Sequence, residues 1–111
     1  MILTIMQGDS YPVFINMTQN GTILVPDMVD NLEIHVGSDL RFAFSDGTIH
    51  FDENTKRWYI WPTQEQTFAL SPGVHKIEMR VKYHNQNTTN VKGTTITDKI
   101  KINEATSREV L

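Results

Sequence analysis

An all-β fold, an antiparallel sandwich of about seven to nine short strands, is what the sequence predicts. No segment sustains a 3.6-residue apolar repeat. Several short runs instead alternate apolar and polar residues, and turn chemistry separates them at spacings of about 8–12 residues. The clearest run is VHKIEMRVKY, in which His75, Ile77, Met79, Val81 and Tyr83 share one face while Lys76, Glu78, Arg80 and Lys82 share the other. One side is built to meet a core and the other to meet water.

Taken in order, Ile2 to Met6 reads as a first strand ended by Gln7-Gly8-Asp9, and Pro12 to Thr18 as a second, with Val13, Ile15 and Met17 on one face. Pro12 is tolerable where an initial or edge position needs no ladder donor. Asn20-Gly21 is a tight-turn signal, since both residues accept positive φ, and it leads into Thr22 to Val25. Leu32, Ile34 and Val36 alternate with Glu33 and His35, and Gly37-Ser38-Asp39 turns the chain into Leu40, Phe42 and Phe44. A short strand over Thr48 to Phe51 and a polar loop, DENT, precede Arg57 to Trp61. The long alternating strand follows Ser71-Pro72-Gly73, and after the polar loop HNQNTTN the last strand spans about Thr94 to Asn103. In it Ile96, Ile100 and Ile102 share a face, and Asp98 intrudes as at a bulge or an edge.

The stretch RWYIWPTQEQTFAL, residues 57–70, combines two signals. Strand alternation sends Trp58 and Ile60 one way and Tyr59 and Trp61 the other. Trp58 and Ile60 are expected in the core, with Tyr59 and Trp61 beneath a covering loop or a partner. Thr63 and Gln66 then fit a capping box, so residues 63–70 are expected to form one short helical turn with Phe68 and Leu70 folded inward. Outward aromatics could also centre a protein interface or stack on a sugar ring.

The bounds set by composition are those of one soluble domain. Its 111 residues can bury roughly two-thirds of the surface of the unfolded chain. We place the sandwich at residues 1–103 and a tail at 104–111. A net charge of −3 offers no basic footprint for nucleic acid. The lack of cysteine removes disulfides, thiolate nucleophiles and cysteine-ligated zinc. The opening MILTIMQGD has neither the charge of a signal peptide nor the length of a membrane span. Three N-x-S/T matches, at Asn16, Asn20 and Asn87, read as chance.

Candidate chemistry is sparse. His35, His50, His75 and His84 fall on different elements without metal-ligand spacing, so neither a metal nor another cofactor is expected. The serines sit in turn-like or terminal contexts with no nucleophile elbow, and Asp52-Glu53 reads as a solvated turn rather than a carboxylate pair flanking a cleft. The singly spaced glycines form no phosphate cradle. An enzyme is not expected.

The combination of QGDSYPVFINMTQNG, W-x-I-W-P-T-Q-E-Q-T-x-x-L, PGVHKIEMRVKY and a closing S-R-E-V-L resembles a family of small Ig-like proteins of tailed bacteriophages and prophages of Firmicutes. It is similar over nearly the whole chain to the N-terminal domain of the phage baseplate upper protein. The resemblance implies a virion component of tail, baseplate or head, made in the bacterial host cytoplasm and working without catalysis. Its expected partners are other phage structural proteins or further copies of itself. Tyr59 and Trp61 are the candidate contact residues on the sheet, and Val110 and Leu111 those on a docking tail. A module binding host-surface glycans through Tyr59 and Trp61 is the alternative. True immunoglobulin domains carry paired cysteines, so "Ig-like" here describes architecture alone.

Overall fold

Alternation decides which way each side chain points, and pairing then decides what it meets. In the computed structural model, residues 2–19, 21–83 and 90–111 are described, the side chains of 19, 90, 92 and 94–98 excepted. Their strands are β1 (Ile2–Met6), β2 (Val13–Ile15), β3 (Thr18–Gln19), β4 (Thr22–Ile23), β5 (Val29–Val36), β6 (Leu40–Ala43), β7 (Ile49–Asp52), β8 (Arg57–Ile60), β9 (Gly73–Tyr83) and β10 (Asn90–Asn103). One α-helical turn, α1 (Gln64–Ala69), connects β8 to β9, and a 3-10 turn at Pro26–Met28 precedes β5.

A five-stranded sheet in the order β1-β10-β9-β5-β6 packs on a three-stranded sheet in the order β2-β8-β7. This is the expected sandwich. Its order matches strands C′, C, F and G facing B, E and D of immunoglobulin-type sandwiches, with β1 added beside the last strand. The β1–β10 pairing is parallel, with Ile2 opposite Lys99 and Met6 opposite Asn103. The two strands come from opposite ends of the domain, so no hairpin forces them antiparallel.

Both sheets supply the core. Val13 and Ile15 from β2, Ile49 from β7, and Trp58 and Ile60 from β8 face Leu32, Ile34, Val36, Ile77, Val81, Ile100 and Ile102 of the larger sheet. Trp58 anchors the middle. It is fully buried, takes Phe44 and Phe51 edge-on at 5.4 and 5.1 Å, and donates its indole N–H to Leu24 O at 2.8 Å. Burying such a ring without that acceptor would leave a desolvated donor.

Three local expectations need correction. The run 12–18 is not one strand: β2 ends at Ile15, and β3 pairs only with β4, Thr18 opposite Ile23. Met17 stays buried and its carbonyl accepts from Leu24 N–H at 2.9 Å, which draws the chain off β8 into a separate hairpin. The strand count among the described residues is therefore ten, two of them only two residues long. A second helical turn also appears at Pro26–Met28, where proline's fixed φ suits an initial helical position. The register of β10 against β9 shifts between Ile96 and Lys99, where Asp98 suggested a bulge. Asn20, the loop 84–89 with His84 and Asn87, and the side chains of Ile96 and Asp98 lie outside the described residues.

The capping box forms in full. Thr63 Oγ1 accepts from Gln66 N–H at 3.1 Å, and Gln66 Oε1 accepts from Thr63 N–H at 2.8 Å. At the far end of this connection, His75 Nε2 meets Ser71 O at 2.7 Å, the same backward tie that a corner tyrosine makes in immunoglobulin sandwiches. Gly37 accommodates that imidazole. Its φ is +60°, and a Cβ there would lie 2.8 Å from His75 Nδ1.

Candidate interaction site

The outward face of the three-stranded sheet collects aromatic side chains. On β8, Trp58 and Ile60 are buried, so Arg57, Tyr59 and the following Trp61 point away from the core. Register sets Phe14 of β2 and His50 of β7 directly on either side of Tyr59. Phe14 and Tyr59 lie 5.2 Å apart between centroids at 48°, and His50 stacks on Tyr59 at 5.0 Å and 26°. The guanidinium of Arg57 sits 4.3 Å from the Phe14 ring centre. His50 thus covers one face of Tyr59 and Arg57 one face of Phe14, and both of these rings are partly buried.

Trp61 is different. It lies just past the end of β8, is 53% exposed, and holds its indole N–H against Ser10 Oγ at 3.2 Å. Ser10 in turn donates to Pro62 O at 2.9 Å. Beside Trp61 a shallow depression of about 370 Å³ runs past Pro12, Phe14 and Tyr59 to Asp52 and Glu53. Tyr59 is thus half-buried by neighbours in its own sheet, whereas the described residues leave Trp61 half-exposed. The described contacts to these two rings come from strand neighbours and from Ser10.

Around Ser10 the surface turns onto the end of the sandwich that carries α1 and the tail. A second hollow there is bounded by Asp9, Ser10, Tyr11, Gln64, Glu65, Val110 and Leu111. Gln7 organises this end from within. It is 6% exposed; its Nε2 donates to Leu70 O at 2.9 Å, and its Oε1 accepts from Ala105 N–H and Arg108 Nη1, each at 3.3 Å. Gly8 follows at φ +91°, where a Cβ would fall 2.6 Å from the Phe68 ring, so only glycine lets α1 approach this closely. Thr67, buried inside the turn, accepts from Gly8 N–H and donates to Asp9 O, both at 2.9 Å.

The tail is consequently held against its own domain. Arg108 donates to Phe68 O at 3.2 Å and lies over the Phe68 ring at 5.2 Å, and Leu111 N–H donates to Gln64 Oε1 at 3.0 Å. Val110 and Leu111 still present their side chains to solvent, Val110 at 60% exposure and Leu111 completely. Tyr59 and Trp61 share one depression and Val110 and Leu111 the other, with Ser10 between them.

Charge is placed by turns. Asp52 accepts from Asn54 N–H and Thr55 Oγ1, both at 3.0 Å, and those bonds hold its carboxyl below the usual range. The hydrogen bond from Arg41 does the same for Glu33, helped by that guanidinium's charge and by nearby His35. Burial, and then the carboxylate of Asp9, raise the Tyr11 phenol. No helix among the described residues is long and apolar enough to cross a membrane.

The sequence singles out Tyr59, Trp61, Val110 and Leu111 as candidates but not Phe14, His50, Gln7 or Arg108, which the structure places beside them. Alternation of Val13, Phe14 and Ile15 already sends Phe14 outward, but only the pairing register sets it beside Tyr59. For Gln7 the signal was weaker, a lone glutamine at the edge of a turn.

Comparison of the chain with family models, with curated proteins and with solved structures finds no match in any of the three.

Proposed function

We propose that the protein is a non-enzymatic structural component of a bacteriophage particle, in tail, baseplate or head, acting through protein–protein contacts in a repeated assembly. The phage assignment rests on the sequence resemblance described above. The contact reading rests on one observation above all: Trp61 is 53% exposed at the end of an aromatic row, next to a tail whose two apolar residues are also exposed. Solvent-exposed tryptophan and leucine recover burial when a second surface covers them, and aromatic residues are enriched at such contacts. On this reading the chain is made in the host cytoplasm and incorporated into virions.

Mass spectrometry of purified particles tests the assignment, with a stoichiometric band of this chain as the expected result and its absence from particles as the opposing one. Trp61→Ala tests the contact: the soluble protein keeps its fold while incorporation into particles falls.

A glycan-binding reading is favoured by the acidic rim that Asp52 and Glu53 give the Trp61 depression. Sugar stacking, however, needs an open ring face, and Arg57 lies over Phe14, His50 stacks on Tyr59, and these two rings lean on each other. Trp61, at 53% exposure, is the more open ring of the two candidates for that role. Glycan-array binding lost in Trp61→Ala would favour this alternative, and no binding at millimolar sugar would remove it.

A further inference from the structure

The outer face of the larger sheet carries a second surface, unlike the aromatic one. Lys76 of β9 and Lys99 of β10 are direct cross-strand partners, and Lys101 lies two residues along the same face. Like charges directly opposite each other destabilise a sheet. None of the three forms an ion pair or a side-chain hydrogen bond among the described residues. Residues 73–103 hold six of the ten basic side chains but only two of the thirteen acidic ones, so this segment is +4 and the remainder −7. Lysines alone could be guards of the open β1 edge. The apolar residues among them do not fit that role: Ile2, paired with Lys99, is 54% exposed, Val74, paired with Lys101, 55%, and Met6 49%.

We infer that this lysine and aliphatic patch on β1, β10 and β9 docks the tail end of a second copy of the chain. The inference rests on the repeated-assembly reading and names its contact. Complementarity selects the occupant. The tail presents Glu109, Val110 and Leu111 outward, a carboxylate followed by two exposed aliphatic side chains, and Glu104 and Glu65 lie on the same end of the sandwich. Arg108, tied to Gln7 and Phe68, holds the segment in place, so little ordering remains to be done on docking. The two surfaces lie at different places on one chain, which makes the contact head-to-tail. Such contacts propagate into rings or filaments rather than stopping at a dimer.

Sedimentation velocity of the purified full chain over a range of concentration and salt tests this. Concentration-dependent association that weakens as salt rises is expected. Lys99→Glu and Glu109→Lys should each weaken it about tenfold, and a mixture of the two variants should recover it through the reversed pair. Circular dichroism verifies that each variant is folded; if either unfolds, Lys76→Glu or Glu104→Lys takes its place in the same mixing scheme. A chain that stays monomeric, association indifferent to salt and to both reversals, or binding to anionic vesicles without self-association would overturn the inference. Detection in particles by mass spectrometry is independent of every one of these outcomes, so a virion protein that remains monomeric would refute this contact and leave the proposed function standing.

Discussion

Two tryptophans three residues apart, Trp58 on β8 and Trp61 just past its end, have opposite fates. Trp58 is fully buried between Phe44 and Phe51 with its N–H on a backbone carbonyl, while Trp61 is half-exposed with its N–H on a serine hydroxyl. Their residue type is identical; their parity along the chain is not. An odd separation puts them on opposite faces of the strand direction, and no second layer among the described residues packs on the outer face. The core thus explains Trp58, whereas the described residues leave Trp61 half-exposed. Replacing each with alanine separates the two. Trp58→Ala should cost about 3–5 kcal/mol, read from urea unfolding, because it removes a large ring and leaves a cavity. Trp61→Ala should stay within about 0.5 kcal/mol, as exposed positions do. Equal losses would mean that Trp61 belongs to the structural framework.

The same contrast can be drawn between the tail and the buried residue that holds it. Gln7→Ala should cost about 1–3 kcal/mol, since it strips Leu70 O of its donor inside the domain and removes the acceptor shared by Ala105 and Arg108. Limited proteolysis should then cut within 104–111 sooner than in the parent chain. Unchanged cleavage would show that Phe68 and Gln64 suffice to hold the tail.

How much of this was legible beforehand follows from which signals are local. Alternation over residues 74–83 and the T-x-x-Q spacing at residues 63–66 are read within one segment, and the burial pattern of β9 and both capping bonds agree with them. The opposite directions of Trp58 and Tyr59 are local in the same sense. The aromatic row is not, because it depends on Phe14↔Tyr59 and His50↔Tyr59, two registers between segments far apart in sequence. Gln7 likewise gains its role from residues 63, 98 and 101 positions away. The split of the run 12–18 was hidden for a related reason: its alternation continues unbroken to Met17, and only the competition between β8 and β4 for pairing ends β2 at Ile15.

Smaller effects belong to the connection that carries the chain from Trp61 back to the core. Thr63→Ala removes the hydroxyl that caps α1 and should cost about 1 kcal/mol in chemical denaturation. Thr63→Ser keeps the hydroxyl and should recover most of it. If serine is no better than alanine, the methyl group of Thr63 rather than its oxygen matters there.

The smallest expected effect lies on the aromatic face itself, at the turn after β7. Asp52 has its carboxyl held below the ordinary value of 3.8 by hydrogen bonds from Asn54 and Thr55. A depressed folded value means that the unfolded chain binds the proton more readily. The turn's contribution is therefore present above pH 3.8 and is lost as pH falls from there through the folded value. Asp52→Asn keeps an oxygen for Asn54 N–H but cannot ionise, so melting temperature should fall less steeply with acid in the variant than in the parent. Glu33, lowered by Arg41 on the opposite sheet, retains its own acid dependence in that variant and serves as the internal control. Parallel curves for variant and parent would place the acid sensitivity at Glu33 and other carboxylates, and leave the Asp52 turn a solvated connection beside Trp61.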